Sequence, residues 1–238
     1  MYRVLLLPLA LVSTAAAAQS QGDLPEAQNA KGGILPVSGQ VLILTDYRFR
    51  GVSRSDGKPA LQGQLTLSLP GGFYAGTRAT SLRRQNLYGN AEVDVYAGLT
   101  REIASGTTLD AGLQYYAFAG GRGGAGHAEP YASLSHTLGP LQATVGAKYA
   151  WAQGGTGQRQ QLYLFGQAEA GIPLTPVTLT ADIGRQAGGL LPRYWNWSVG
   201  GRYRLLGPVE AGLRYVDTDL PSGRGRKAGL VGSLGVRF

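Results

Sequence analysis

The sequence of 238 residues contains no cysteine, only two histidines and one methionine, and 15% of its residues are charged. The absence of cysteine excludes disulfide bonds, thiolate nucleophiles and cysteine-ligated metals. Soluble domains carry about 25% charged residues. The low charged fraction therefore predicts that much of the folded surface faces lipid rather than water.

The chain also lacks any later run of about 18 apolar residues, the length that a membrane helix needs. Its N-terminal segment differs, since Arg3, an apolar stretch at 4–12 and the small residues at 16–18 are typical of a cleaved export signal. We expect residues 1–18 to be a signal peptide and residues 19–36 to be a flexible leader. Any membrane span must then consist of strands.

Apolar and polar residues alternate with a period of two through the remainder of the chain, which is typical of strands with one apolar face. In segment 141–151, for example, Leu141, Val145 and Tyr149 alternate with Gln142 and Lys148. Each such segment has about the length of a tilted membrane strand, roughly 9–11 residues. Twelve strands are predicted, at 37–50, 60–69, 73–82, 91–100, 108–118, 130–138, 141–151, 162–170, 177–186, 194–205, 209–217 and 228–238.

The connections between these segments alternate in length. The short ones lie at 70–72, 105–106, 139–140, 172–176 and 206–208, and the long ones at 51–59, 84–90, 119–128, 152–160, 187–193 and 218–227. Outer-membrane barrels have short periplasmic turns and longer extracellular loops, whereas a soluble sandwich has no reason to sort its connections in this way. Residues 37–238 are therefore predicted to form one antiparallel up-and-down transmembrane β-barrel of about 12 strands.

Aromatic residues lie at the strand ends that adjoin the long connections, where they are expected to form a girdle at the membrane surface. An alternative interpretation, that they are core residues of a sandwich, stays open. The girdle residues are Tyr47, Phe49, Tyr115, Tyr149, Trp151, Trp195, Trp197 and Tyr215. The last segment ends in an every-second-residue apolar row that closes on Phe238, which resembles the signal read by the barrel-assembly machinery.

Ionisable residues on the inward face are the candidates for a functional site. Charges of both signs inside a narrow barrel can filter solutes in a water-filled path. The same mixture can instead close into a salt-bridged plug. The candidate pore-lining residues are Asp46, Arg48, Arg50, Glu92, Asp94, Lys148, Asp182, Arg202, Arg204 and Arg214.

Features of catalytic and nucleic-acid sites are weak. His136 has serine neighbours at 133 and 135, but adjacent strand residues point to opposite faces and form no dyad. The Gly-rich stretch at 120–126 precedes a strand rather than the helix that a phosphate loop needs. The net charge of +8 comes from scattered arginines without a recognition element. We expect no enzymatic activity, no cofactor, no metal and no nucleic-acid partner.

Several motifs resemble the TorF family of porins from proteobacteria. The run at 45–53, TDYRFRGVS, is the most specific, and segments 72–76, 92–98, 197–200 and 215–220 follow it in order. Arg78 and the basic segment 223–227 depart from the family's pattern. The resemblance implies an outer-membrane barrel and a porin, without catalytic residues.

The sequence as a whole predicts a passive channel for small polar or anionic solutes in the outer membrane of a Gram-negative bacterium. The alternative is a closed barrel with a structural or surface-interaction role, whose basic loops bind lipopolysaccharide or a partner. An outer-membrane hydrolase is a third, disfavoured alternative. Expected partners are outer-membrane lipid and lipopolysaccharide, the barrel-assembly machinery and small solutes, and no oligomeric state is predicted.

Overall fold

A computed structural model describes residues 37–85, 88–121 and 124–238, most of which lie in strands. The expected signal peptide and leader, residues 1–36, lie outside the described residues. Within those ranges no helix is long and apolar enough to cross a bilayer. The helical turns there are short 3-10 turns at Pro70–Gly72 and Gly154–Thr156.

Twelve long strands pair in antiparallel fashion and close into a barrel, because the first strand also pairs with the last. Two short strands, β2 (Arg48–Phe49) and β3 (Val52–Ser53), pair only with each other. The wall consists of β1 (Val37–Leu44), β4 (Ala60–Ser68), β5 (Phe73–Gln85), β6 (Gly89–Ala104), β7 (Thr107–Ala119), β8 (His127–Leu138), β9 (Leu141–Ala150), β10 (Gln161–Gly171), β11 (Val177–Gly188), β12 (Tyr194–Leu206), β13 (Val209–Thr218) and β14 (Gly229–Arg237).

The alternation of residue types along each strand separates the two faces of the wall. Val95 and Val145 point outward and are 54% and 60% exposed, whereas Asp94 and Lys148 point inward and are 0% and 1% exposed. Paired residues on neighbouring strands share a face, so the apolar side chains form a continuous outer surface. The prediction of a closed antiparallel barrel of twelve strands is confirmed.

The short and long connections alternate along the chain as predicted, with three differences. Strand β1 ends at Leu44 instead of continuing to residue 50, so the first long connection spans residues 45–59. The prediction of a long loop at 84–90 is wrong. Strand β5 continues to Gln85 and β6 begins at Gly89, and these two residues pair. The connection at 189–193 is no longer than the short one at 172–176, since each has five residues. The remaining long connections lie at 120–126, 151–160 and 219–228.

Candidate functional site: a loop folded into the barrel

The first long connection, residues 45–59, folds into the barrel, and we call it the inner loop. It leaves the wall after Leu44 and returns at Ala60, and these two residues pair directly across β1 and β4. Its side chains contact β6, β7, β8, β10, β11 and β13, and its backbone accepts a hydrogen bond from β12. The inner loop therefore reaches across the lumen to seven of the twelve strands.

The tip of the inner loop is a two-residue turn between β2 and β3. Arg50 and Gly51 both have positive φ, at 49° and 80°, as the tight turns of β-hairpins often require. A Cβ on Gly51 would lie 2.4 Å from Thr218 Cγ2 and 2.9 Å from Asn196 Cβ on the opposite wall. Glycine is therefore required here both for its backbone conformation and for the close approach to β12 and β13.

Asp46 organises the base of the inner loop. Its carboxylate accepts hydrogen bonds from Arg48 Nε at 2.7 Å, Ser53 Oγ at 2.5 Å, Ser55 Oγ at 2.9 Å and the Gly57 backbone N at 3.2 Å. Four donors on one buried carboxylate fix the hairpin relative to the loop base. Asp46 and Arg48, both predicted to line a pore from a strand, lie on the inner loop.

Arg50 at the tip is buried inside the barrel, against residues near the long-loop ends of β8 and β11. Its Nη2 donates to Glu129 Oε2 on β8 at 2.6 Å, and its Nη1 donates to Gln186 Oε1 on β11 at 3.1 Å. The guanidinium also stacks over the Tyr163 ring, 4.1 Å from its centroid. The side chains of Arg50 and Glu129 are 0% and 1% exposed, so protein atoms fill the space around this pair.

A second contact joins the inner loop to β6 through Glu92. Arg54 Nη1 and Tyr47 Oη donate to the two carboxylate oxygens of Glu92 at 2.5 and 2.8 Å. Phe49 packs edge-on against Tyr116 of β7, with 5.5 Å between ring centroids, and lies under the guanidinium of Arg54.

These contacts correct the prediction that Tyr47 and Phe49 belong to the outer girdle. Both are buried inside the barrel, at 0% and 8% exposure. The period-two pattern placed them outward because it was extended past Leu44, where the wall strand ends and the chain turns inward. Alternation indicates a face only as long as the strand continues.

Beside the inner loop, the wall carries further buried polar groups. Arg78 on β5 and Asp94 on β6 are paired directly in register, and Arg78 Nε donates to Asp94 Oδ2 at 2.9 Å. Lys148 Nζ donates to Gln114 Oε1 at 3.0 Å and lies 3.4 Å from Tyr116 Oη. Of the residues predicted to line a pore, Glu92, Asp94 and Lys148 all point into the barrel.

Tyrosines line the inner wall of β5 to β8. Tyr74 Oη donates to Asp110 Oδ1 at 2.7 Å and lies in hydrogen-bonding contact with Tyr131 Oη. Tyr96 Oη contacts Gln64 Nε2 at 3.0 Å on β4. The hydroxyl groups are thus used in bonds along the wall.

Toward the short-turn end, the inward charges form an ion-pair cluster. Arg202 contacts Glu169 at 2.8 Å and Glu210 at 3.3 Å, and Arg237 also contacts Glu210 at 3.3 Å. Arg204 is exposed at the end of β12, next to a shift in strand register.

A separate pair lies between β11 and β13. Arg214 Nη1 is 3.6 Å from Asp182 Oδ2, and the same carboxylate accepts a hydrogen bond from Ser198 Oγ at 2.6 Å. Asp182, Arg202 and Arg214 thus point inward as expected. Their role in conduction remains a prediction.

Sequence reasoning missed seven acidic or arginine residues that the described part of the structure places in the lumen. A residue of the inner loop gives no periodic signal. The missed residues on strands, however, occupy the same alternate positions as other inward polar residues, so the period-two pattern could have identified them. The missed residues are Arg54, Arg78, Asp110, Glu129, Glu169, Glu210 and Arg237.

The remaining aromatic candidates lie on the outside of the wall. They are exposed and occur near the end where the long connections lie, as a girdle requires. Their role at a membrane surface stays a prediction. They are Tyr115, Tyr149, Trp151, Trp195, Trp197 and Tyr215. Phe238 closes the seam, since its backbone N donates to Gly39 O at 2.9 Å and its O accepts from Gly39 N at 2.7 Å.

The two histidines lie on opposite sides of the wall. His127 is inside, with its ring stacked on Tyr116 and its Nε2 3.6 Å from Glu129 Oε1, whereas His136 is exposed. Among residues 37–85, 88–121 and 124–238, no group of three or more acidic or histidine side chains is placed to hold a metal ion.

Comparison with protein families gives one match over most of the chain. The sequence profile described as "Bacterial protein of unknown function (Gcw_chp)" matches residues 27–229. The chain belongs to the Gcw_chp family. The matched range of this Gcw_chp protein includes the inner loop and almost the whole wall. No curated protein matches the sequence.

Solved structures similar to the Gcw_chp chain include two porins and an outer membrane channel, all of low sequence identity. A KdgM porin has a TM-score of 0.60 at 9% identity, over 84% of this chain and 98% of the porin. A NanC porin has a TM-score of 0.58 at 13% identity, over 85% and 98%. The COG4313 outer membrane channel from Pseudomonas putida F1 has a TM-score of 0.54 at 13% identity, over 93% and 99%. At these identities the likeness establishes the shared barrel fold.

Proposed function

We propose that this protein is an outer-membrane channel for small polar or anionic solutes, and that the inner loop narrows its lumen. The observation that carries the proposal is a hydrogen-bonded polar loop inside a barrel whose exterior is apolar. The structural likeness to porins and to an outer membrane channel supports the same function.

The exterior supports a membrane location. Outward residues such as Leu65, Val95, Leu113, Val145 and Ile183 are exposed around the whole wall. A soluble protein rarely exposes an apolar patch larger than a few hundred Å². Because every wall strand has two hydrogen-bonded neighbours, no unpaired edge faces the lipid. The long loops are then extracellular and the short turns periplasmic.

The interior supports a path for small solutes. Charged and hydrogen-bonding groups follow the inward face from the Arg50–Glu129 pair to the Arg202 cluster at the other end. Most inward cations lie beside a carboxylate, so the lumen is polar throughout without a strong excess of one sign. The preference for anions is proposed from the net charge of +8 and the basic loop at 219–228.

Planar-bilayer recording tests the proposal. Purified folded protein should produce discrete conductance steps, and a potassium chloride gradient should give a reversal potential of the sign expected for a modest anion preference. A control preparation of heat-unfolded protein should give no steps. Folded protein that inserts completely and yet conducts nothing would contradict the channel.

A closed barrel with a surface-interaction role is the second candidate, favoured by the burial of Arg50, Glu92 and Glu129 at the inner loop. In that case the basic loop is the interaction site, and replacing Arg224, Arg226 and Lys227 together with serine should abolish attachment to lipopolysaccharide. Unchanged attachment in the triple variant, with ion conduction present, would eliminate this candidate.

The processing and assembly of the chain are proposed on the same basis. Export through cleavage of residues 1–18, insertion by the barrel-assembly machinery through Phe238, and relation to the TorF porins follow from sequence motifs. Replacing Phe238 with Asp should slow assembly in vivo, measured as loss of heat-modifiable folded protein.

A further inference from the structure

A cleft lies at the long-loop end of the barrel, between the inner loop and the loop at 219–228. Its volume is about 320 Å³. This equals roughly ten water volumes at about 30 Å³ each, so the cleft is much larger than one inorganic ion needs. The side chains lining it belong to Asp46, Arg48, Ser53, Asp56, Arg224 and Lys227.

Two hydrogen bonds to backbone carbonyl oxygens hold the sides of the cleft together. Ser53 N donates to Gly225 O at 2.8 Å, and Arg48 Nη1 donates to Lys227 O at 2.8 Å. Gly225 has a positive φ of 73°, and a Cβ there would lie 2.9 Å from Ser53 O. The cleft is therefore built on contacts between the first and last long loops of the barrel.

The cleft has an excess of positive charge, since its lining includes three cationic residues, Arg48, Arg224 and Lys227, and two acidic ones, Asp46 and Asp56. Asp46 is occupied by the four hydrogen bonds at the base of the inner loop. Asp56 accepts two hydrogen bonds from Arg224, at 2.8 and 2.7 Å. The ammonium group of Lys227 is the additional positive charge.

The carboxylate of Asp56 is a weak competitor for Arg224. The Arg224 side chain is 73% exposed, and ion pairs this exposed contribute little to stability. An acidic ligand can form the same bidentate hydrogen bonds with the guanidinium and gain the charge of Lys227 in addition.

We propose that this cleft binds a small organic anion of about monosaccharide size, whose acidic group contacts Lys227 and Arg224. The site is the first that a solute meets at the mouth of the proposed channel. A role in capturing solutes for the channel rests on the proposed function, whereas binding of the anion to the cleft does not.

Isothermal titration calorimetry of the folded full-length protein in detergent, at low ionic strength, tests the proposal. D-glucuronate should bind saturably with one site per chain, and neutral D-glucose should not bind. Lys227→Gln should weaken glucuronate binding about tenfold, the loss expected when one charge contact of about 1.4 kcal/mol is removed. Added salt should weaken binding because the contacts lie near the surface.

Two further variants separate recognition of the anion from a purely structural effect. Asp56→Asn should strengthen glucuronate binding, because it removes the carboxylate that competes for Arg224. Arg193→Gln removes an exposed cation from the connection at 189–193 and should leave binding unchanged. A structural role for the cleft would weaken binding in both the Asp56 and Lys227 variants.

Three results would overturn the proposal. They are equal binding of glucose and glucuronate, a Lys227→Gln variant with unchanged affinity, and binding of lipopolysaccharide at these residues without binding of glucuronate. Conductance distinguishes this failure from that of the channel. A conducting barrel without glucuronate binding removes only the site, and a non-conducting barrel that binds glucuronate removes only the channel.

Discussion

The wall of the barrel and the inner loop are held in place by different interactions. Each wall strand has continuous backbone hydrogen bonds to two neighbours, and its outward side chains match an apolar environment. The inner loop has strand pairing only between β2 and β3, and only two backbone-to-backbone hydrogen bonds, from Thr45 N to Gly232 O and from Ser53 N to Gly225 O, join it to other segments of the described structure. Its position inside the barrel depends mainly on side-chain contacts such as Arg50–Glu129 and Arg54–Glu92.

This difference suggests a division of roles between the two regions. Buried ion pairs define a geometry but contribute little net stability, because removing both charges from water is costly. Changes at these pairs should therefore displace the inner loop without unfolding the wall. Changes on the outer face should destabilise the wall without altering the loop contacts.

The largest effect on the loop is expected from Glu129→Ala. It leaves the buried Arg50 guanidinium without its carboxylate partner, at a cost of about 3–5 kcal/mol. The loop should leave the lumen and become cleavable by trypsin after Arg50 and Arg54, measured as fragment formation in folded protein. Glu102→Ala, an exposed carboxylate at the short-turn end, is the control.

The double variant Arg50→Ala with Glu129→Ala sharpens this prediction. The double variant leaves no unpaired charge at this position. Trypsin should therefore cleave it after Arg54, a site that both variants keep, more slowly than it cleaves Glu129→Ala. Faster cleavage of the double variant would show that the ion pair is not what holds the loop.

The wall should respond most strongly to charge placed at mid-depth on its outer face. Leu113→Arg on β7 should destabilise the barrel by about 2–4 kcal/mol, because an arginine then faces the centre of the bilayer. Leu109→Arg, on the same strand and face but near its end, should cost only about 0–1 kcal/mol. Urea unfolding in lipid vesicles measures both, and equal effects would contradict a membrane-embedded outer face.

A smaller effect is expected from Gly51→Ala in comparison with Gly57→Ala. Both glycines have positive φ, so alanine is strained at each by about 1–2 kcal/mol. Only Gly51 has a wall atom within 2.4 Å of the added Cβ, whereas Gly57 has none within 4 Å. Amide hydrogen exchange in the inner loop should therefore be about ten times faster in the Gly51 variant than in the Gly57 variant. This factor corresponds to roughly 1.4 kcal/mol of additional steric strain. Equal exchange in both variants would rule out close wall contact at the tip.

The smallest expected effect is a pH dependence at the loop surface. Hydrogen bonds from Arg224 lower the pKa of Asp56 in the folded protein. The stabilisation is therefore present above the ordinary pKa of an aspartate and is lost as the pH falls through the lowered pKa. A carboxyl NMR titration should show this shift, and Arg224→Gln should return the pKa of Asp56 toward about 3.9. An unshifted pKa in the unmodified protein would show that the pair does not form.

The wall was predictable from sequence, whereas the inner loop was not. Alternation in segments such as 141–151 follows from the apolar outer face and polar inner face that the wall strands share, so the local pattern is sufficient. The position of Arg50 depends on Glu129 and Gln186, which are distant in sequence. The inward position of Arg78 could be read from the alternation along β5. Its pairing with Asp94 could not, because that pairing depends on the register between β5 and β6.

The central claim, that residues 45–59 narrow the lumen of a membrane barrel, is tested most directly by shortening the loop. Because Leu44 and Ala60 pair directly, an Asn-Gly turn can replace residues 45–59 without changing the wall. Single-channel conductance of the shortened barrel should be several-fold larger than that of the unmodified protein. Equal conductance in a correctly folded shortened barrel would contradict the account.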